Sequence, residues 1–149
     1  LAASHPRRVA VRIAFDPALS RRVYAGSDFF VIPSRFEPCG LTQMYAMRYG
    51  AIPVVTDVGG LHDTVEAIRI ARSSSSSSSS TTESGTGIIA SHPAIDPLHD
   101  ACLAAVRLYD DASAFERTVV RAMTRSSDFG WSASAEAYRR LYNELARRE

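Results

Sequence analysis

One stretch constrains this chain more than any other. An apolar run, Phe29-Phe30-Val31-Ile32, leads into Ser34-Arg35-Phe36-Glu37-Pro38-Cys39-Gly40-Leu41-Thr42-Gln43. Leu41, Met44, Tyr45 and Arg48 then recur at three- and four-residue spacing. The pattern predicts a strand, a tight loop and a helix N-terminus. In an open α/β sheet a ligand sits there, outside the carboxyl end of a strand, where free backbone N–H groups point outward.

Each residue type in the loop has a physical job. Glu37 is a carboxylate acceptor just ahead of a positive helix end. Pro38 fixes one φ angle and stiffens the turn. Gly40 lets a ligand approach the backbone closely. Thr42 supplies an N–H in the first helical turn. Such a loop can hold a sugar through Glu37 and a phosphate through the helix N-terminus.

The flanking chain predicts a doubly wound parallel sheet, an α/β Rossmann-like fold with a helical C-terminal tail. Val9 to Phe15 is rich in β-formers and is expected to be a buried parallel strand. Asp16-Pro17 reads as an N-cap followed by a first-turn Pro, and Gly26 as the stop of that helix. Asp28 to Pro33 is the next expected strand. Leu41 to Tyr49 is the motif helix, stopped by Gly50. Ile52 to Thr56 is a third strand, with Asp57-Val58-Gly59-Gly60 as its loop. Strands alternating with helices at this spacing indicate parallel pairing. Residues 72–85 hold eight consecutive serines, Ser73 to Ser80, and are expected to form a solvated, mobile insertion. Thr86 to Ala90 reads as a short strand returning to the sheet. Beyond it, apolar stripes fall at helical spacing: Leu98, Ala101, Cys102, Ala105 and Tyr109; then Phe115, Val119 and Ala122; then Tyr138, Leu141, Tyr142 and Leu145.

Composition excludes several functions. A chain of 149 residues, 46% hydrophobic and 22% charged, fits one globular domain. A net charge of +1 argues against a nucleic-acid surface or a polybasic membrane patch. No apolar run has the length of a membrane span. All 17 basic residues are Arg, so no lysine can hold a phosphate. Cys39 and Cys102 do not make a disulfide framework and fit a reducing compartment. His5, His62, His92 and His99 lack metal-ligand spacing, so no metal and no cofactor is expected. Cys39 has no base near it in sequence and reads as a small buried residue lending its backbone.

The string from Phe36 to Gln43, continued by Tyr45-Ala46-Met47-Arg48-Tyr49-Gly50, resembles the glycogen synthase and starch synthase family of glucosyltransferases. Gly59-Gly60-Leu61-His62-Asp63-Thr64-Val65 resembles that family's second signature. Asp128-Phe129-Gly130-Trp131-Ser132, with Tyr138 and Leu141-Tyr142, resembles its C-terminal tail. The resemblance implies the C-terminal, donor-nucleotide-binding half of a two-Rossmann-domain (GT-B) enzyme. It implies transfer of glucose from ADP-glucose to the non-reducing end of an α-1,4-glucan with retention. It gives Glu37 the catalytic and sugar-contacting role. Backbone groups of Cys39, Gly40 and Leu41 would contact the same sugar, and Thr42 the phosphate. Phe15 stands where the family often has a Tyr that stacks on the nucleobase; plain core packing is the alternative. Gly59 and Gly60 would shape the donor loop. Phe129 and Trp131 would be apolar anchors for the tail.

By the same resemblance, residues 1–127 would be the donor domain and 128–149 a helix crossing back to an N-terminal domain. The chain starts without Met and is expected to be a fragment lacking that domain and its Arg/Lys diphosphate clamp. Its partners would be ADP-glucose, the glucan and the missing domain, with neither nucleic acid nor membrane. The chain also departs from the family. Thr56 stands where Arg is common and Val58 where Thr is common, which bears on donor affinity. A UDP-glucose-dependent glycosyltransferase, a sucrose-type enzyme and a catalytically silent nucleotide-sugar or glucan-binding scaffold are the alternatives. The serine insertion and Arg bias suit a plastid; bacterial cytoplasm is the alternative location.

Overall fold

A computed structural model describes residues 1–70 and 82–147. The serine tract and the rest of 71–81 lie outside the described residues.

Helix α1 (Pro17–Ala25) starts because the Asp16 carboxylate accepts from Leu19 N at 2.9 Å and Pro17 presets the first turn. It stops at Gly26. Strand β1 (Phe29–Ile32) follows, then α2 (Thr42–Tyr49). Gly50 ends α2 at φ +87°, a left-handed conformation that suits glycine. Strand β2 (Ile52–Thr56) is buried along its whole length. Helix α3 spans Gly59–Thr64. A two-stranded antiparallel ribbon joins β3 (Arg69–Ile70) to β4 (Thr82–Ser84). Strand β5 (Ile88–Ala90), α4 (Ile95–Asp110), α5 (Ala112–Ser126), a 3₁₀ turn (Ser127–Phe129) and α6 (Trp131–Ala146) complete the chain.

The main sheet is parallel, in the order β1-β2-β5. Phe29 lies opposite Ile52, and Val54 opposite Ile88. Pro53 is tolerated in this central strand because pairing with β5 begins only at the next residue, Val54. Alternation of side chains sends two apolar rows to opposite faces. Ile32 and Val55 pack with Leu61 and Val65 on one face. Val54 and Ala90 pack with Ala101 and Ala105 of α4 on the other. Phe29 and Ile52 meet Leu108, Ala114 and Phe115 where α4 turns into α5. Apolar rows covered on both faces are what a doubly wound α/β sheet requires.

Four expectations need correction. Val9 to Phe15 is not a strand, and no strand lies beside it among the described residues. Ile13 and Phe15 are each 96% exposed, so Phe15 neither ends a strand nor packs in the core. β-propensity needs a partner edge to become a strand, and β1 pairs only with β2. Gly59 and Gly60 do not form a loop; they open α3. The expected mobile insertion is too long at its C-terminal end. Residues 82–84 form β4, held by hydrogen bonding to β3, and Arg121 Nε donates to Gly85 O at 3.0 Å. The tail also behaves differently from the expected anchor. Phe129 is half-buried beneath the Arg125 guanidinium, 4.8 Å from its ring centre, but Trp131 is 88% exposed.

Candidate functional site

The loop from Ser34 to Leu41 leaves the carboxyl end of β1 and enters α2 without a side-chain cap. The N–H groups of the first turn are therefore open to a ligand. Glu37 is half-buried, and Ser34 Oγ lies 3.5 Å from its Oε2. Cys39, Leu41 and Thr42 are exposed, so Cys39 is not the buried residue its small apolar side chain suggested; it sits on the open loop ahead of α2.

The second signature supports this loop from below. Gly60 N donates to Glu37 O at 2.9 Å. A Cβ on Gly59 would collide with Glu37 O, and one on Gly60 with Cys39 O. Both positions must be glycine for α3 to approach the loop backbone this closely. Gln43, fully buried, adds a second tie. Its Nε2 lies 3.3 Å from Cys39 O, 3.1 Å from Gly40 O and 3.0 Å from Thr64 Oγ1. Thr64 Oγ1 in turn donates to Gly60 O at 2.5 Å. Thr56 is buried too, and its Oγ1 donates to Ser34 O at 2.5 Å. Three side chains and two glycines thus fix the loop that carries Glu37.

Beside the loop lies a cleft of about 480 Å³. Helix α1 contributes Ser20, Arg21 and Tyr24, helix α2 contributes Thr42, Tyr45 and Tyr49, and Phe15 lines it from the segment before α1. Arg21 is its one charged lining residue. Tyr24 stacks on Tyr49 at 6.1 Å and meets Tyr45 edge-on at 6.1 Å. Burial, and then neighbouring Tyr45, push the Tyr24 phenol above its ordinary pKa. The volume falls within the range of small-molecule sites, and the wall combines aromatic faces with one cation.

The structure brings Phe15 and Thr42 to one cleft and sets Glu37, Cys39, Gly40 and Leu41 on the adjoining loop. Gly59 and Gly60 lie behind that loop, as its support. Sequence reasoning missed Arg21, Tyr24 and Tyr49 as lining residues; a helical spacing of three and four from Pro17 to Tyr24 was the available signal. It also missed the pair formed by Asp57 and His62. His62 Nδ1 lies 2.5 Å from Asp57 Oδ1, and that hydrogen bond, then the Asp57 charge, hold the exposed imidazole above its ordinary pKa. Among the described residues no group of three or more His, Cys, Asp or Glu is placed to hold a metal ion. No described helix is long and apolar enough to cross a membrane.

Comparison with known proteins bears on this geometry. Residues 7–77 match the family model "Glycosyl transferases group 1". The chain is 42% identical over 144 residues to a glycogen synthase of Granulibacter bethesdensis, covering 97% of this chain and 28% of that protein. It is 44% identical over 148 residues to a glycogen synthase of Burkholderia thailandensis, covering 99% of this chain and 26% of that protein. Its fold matches the catalytic domain of starch synthase IV from Arabidopsis thaliana, solved with ADP and acarbose. That match has a TM-score of 0.73 and 36% identity, covering 95% of this chain and 28% of the other. The chain therefore spans little more than a quarter of the length of these proteins. In sequence and in fold the chain is similar to one part of the glycogen and starch synthases.

Proposed function

We propose that this chain supplies the donor side of a retaining glucosyltransferase that moves glucose from ADP-glucose to the non-reducing end of an α-1,4-glucan. One observation carries the reading. Phe15 and Thr42, distant in sequence, line the same aromatic cleft, and the Glu37 loop runs directly into α2 at Thr42. A nucleotide needs a stacking face, a cation or helix end for its phosphates, and a carboxylate within reach of the sugar. Phe15, Arg21 with the α2 N-terminus, and Glu37 are groups of those kinds.

Glu37 accepts from sugar hydroxyls. The outward N–H groups of the loop hold the same sugar, and the Thr42 end offsets charge on the leaving diphosphate. Residues 1–127 act as the donor domain and 128–149 as a helix that crosses to a further domain. The similar starch synthase structure is bound to ADP, which favours ADP-glucose over UDP-glucose. The glycogen synthase relatives are bacterial, which favours the bacterial cytoplasm over the plastid.

Thr56 favours a second reading, a binding scaffold without transfer. Where the resembled family commonly has a cation, Thr56 is buried and bonded to Ser34 O. It contributes no charge to a diphosphate.

Calorimetry on the chain tests the first reading. ADP-glucose should bind more tightly than ADP, with affinity on the order of millimolar. Glu37→Ala should remove that advantage, because a charge-assisted hydrogen bond is worth roughly 1.5–3 kcal/mol. Equal affinity of the wild type for ADP and ADP-glucose would sink the sugar role of Glu37. Supplied with radiolabelled ADP-glucose and glycogen, the chain alone should label no glucan. Alignment of two reactants is worth about 7–11 kcal/mol, and these residues do not hold the acceptor. Labelling at the rate of a complete synthase would overturn the donor-side reading.

A further inference from the structure

Gln43 is a fully buried polar side chain in the first turn of α2, and nothing above gives it a part in ligand binding. Its two amide hydrogens are shared among three acceptors: Cys39 O, Gly40 O and Thr64 Oγ1. Reversing the amide would point its oxygen at two backbone carbonyls, so the orientation is fixed. With both hydrogens committed, Oε1 is left buried and unpartnered among the described residues. It rests against Gly40, where a Cβ would come within 2.6 Å of it. Gly40 also has φ +70°.

The consequence follows from peptide geometry. A trans peptide points its C=O and its N–H in opposite directions, and this chain has no cis peptide bond among the described residues. Drawing Cys39 O inward turns Gly40 N–H outward. Drawing Gly40 O inward turns Leu41 N–H outward. Neither N–H has a partner among the described residues. A single side chain therefore decides which way two consecutive donors face.

We infer that Gln43 is a positioning residue for the nucleotide-sugar loop: it aims the Gly40 and Leu41 N–H groups at the ligand and locks that orientation to α3 through Thr64. The inference rests on the donor-side reading above. It also explains the orphaned acceptor. The unpaired oxygen is what remains when both amide hydrogens serve the loop, and burying it costs free energy that a packing role alone would not need.

The test uses the chain, calorimetry with ADP-glucose and a thermal melt of each variant. Gln43→Met keeps the length of the side chain and removes both donors. It should bind ADP-glucose about tenfold more weakly while its melting temperature changes little, since the buried orphan is removed as well. Gln43→Glu presents a carboxylate to two carbonyls at neutral pH. It should bind weakly there and recover as the pH falls and the carboxyl gains a proton to donate. A packing residue would recover affinity only in step with the melting temperature as the buried carboxylate is neutralised, whereas a positioning residue should lose affinity at a pH where the variant is still fully folded. Thr64→Val keeps Gln43 and removes its tie to α3 along with the Thr64–Gly60 hydrogen bond inside α3; it should weaken binding by a smaller factor. If Gln43→Met proves unstable, the Gln43→Glu rescue and Thr64→Val decide the matter. Wild-type affinity in all three would overturn the role of Gln43 and leave the donor-side reading standing. A wild-type chain that binds no ADP-glucose would overturn both.

Discussion

Helices α4 and α6 are each 16 residues long, and both carry an apolar stripe on one face. Their fates differ. Helix α4 lays Ala101, Ala105 and Leu108 against β2, β5 and the start of α5, and all three are buried. Helix α6 buries nothing; Tyr138, Leu141, Tyr142 and Leu145 are all exposed. Its charged side holds Glu136 between Arg139 and Arg140, at 2.7 and 3.1 Å, and these arginines hold the carboxyl below its usual range. An amphipathic face is thus an offer, and burial follows only where a sheet presents a matching row. Small residues decide the match in α4. Ala101 and Ala105 let the helix come close to Val54 and Ala90, where larger side chains would hold it off.

The largest expected effect divides the two helices. Leu108→Ala should cost about 2–5 kcal/mol in urea denaturation, as buried Leu truncations do. Leu141→Ala should stay within about 0.5 kcal/mol, as exposed substitutions do. Equal losses at both positions would mean that α6 is packed and that the contrast is false. Gly60→Ala comes next, at roughly 1–3 kcal/mol for overpacking. Its Cβ would strike Cys39 O, so the loop must move, and ADP-glucose binding should fall along with stability. Asp111 caps α5 by accepting from Ala114 N at 3.0 Å. Asp111→Ala should therefore cost about 1 kcal/mol, visible as a lowered urea midpoint.

The smallest effect is one of pH. The folded state holds His62 above its ordinary pKa of 6.5, through Asp57. The pair's contribution is therefore fully present below that value and is lost as pH rises through the raised one. His62→Asn should be less stable than the wild type at mildly acidic pH, and the gap should close on the alkaline side. Both side chains are exposed, so the gap should be small. A gap that widens toward alkaline pH would contradict the sign.

Which parts were legible in the sequence follows the same logic of local and distant partners. Helix α1, β1, α2 and β2 carry their own punctuation in Asp16, Pro17, Gly26 and Gly50, and their limits could be read to within a residue or two. Val9 to Phe15 is a longer run rich in β-formers than β5, yet β5 is the strand. Pairing depends on an edge elsewhere in the chain, which residue type does not encode. The β3–β4 ribbon was missed for the same reason, and so was the true end of the serine insertion. At the site, the Glu37 loop was legible because its string is distinctive. The work of Gly59, Gly60 and Gln43 was not, because each acts on carbonyls of Glu37, Cys39 or Gly40 that only the folded chain brings near. Arg21 went unread because a solvent-facing Arg on a helix looks like any other until a cleft is seen beside it.

The central claim is that the loop on α2, and not the exposed face of α6, receives the nucleotide sugar. Amide NMR of the chain titrated with ADP-glucose tests it most directly. The account predicts saturable shifts at Gly40, Leu41 and Thr42, with smaller ones at Phe15 and Gly60, while residues 131–146 stay in place. Shifts confined to α6, or none at Gly40 and Leu41 at saturating ADP-glucose, would contradict it.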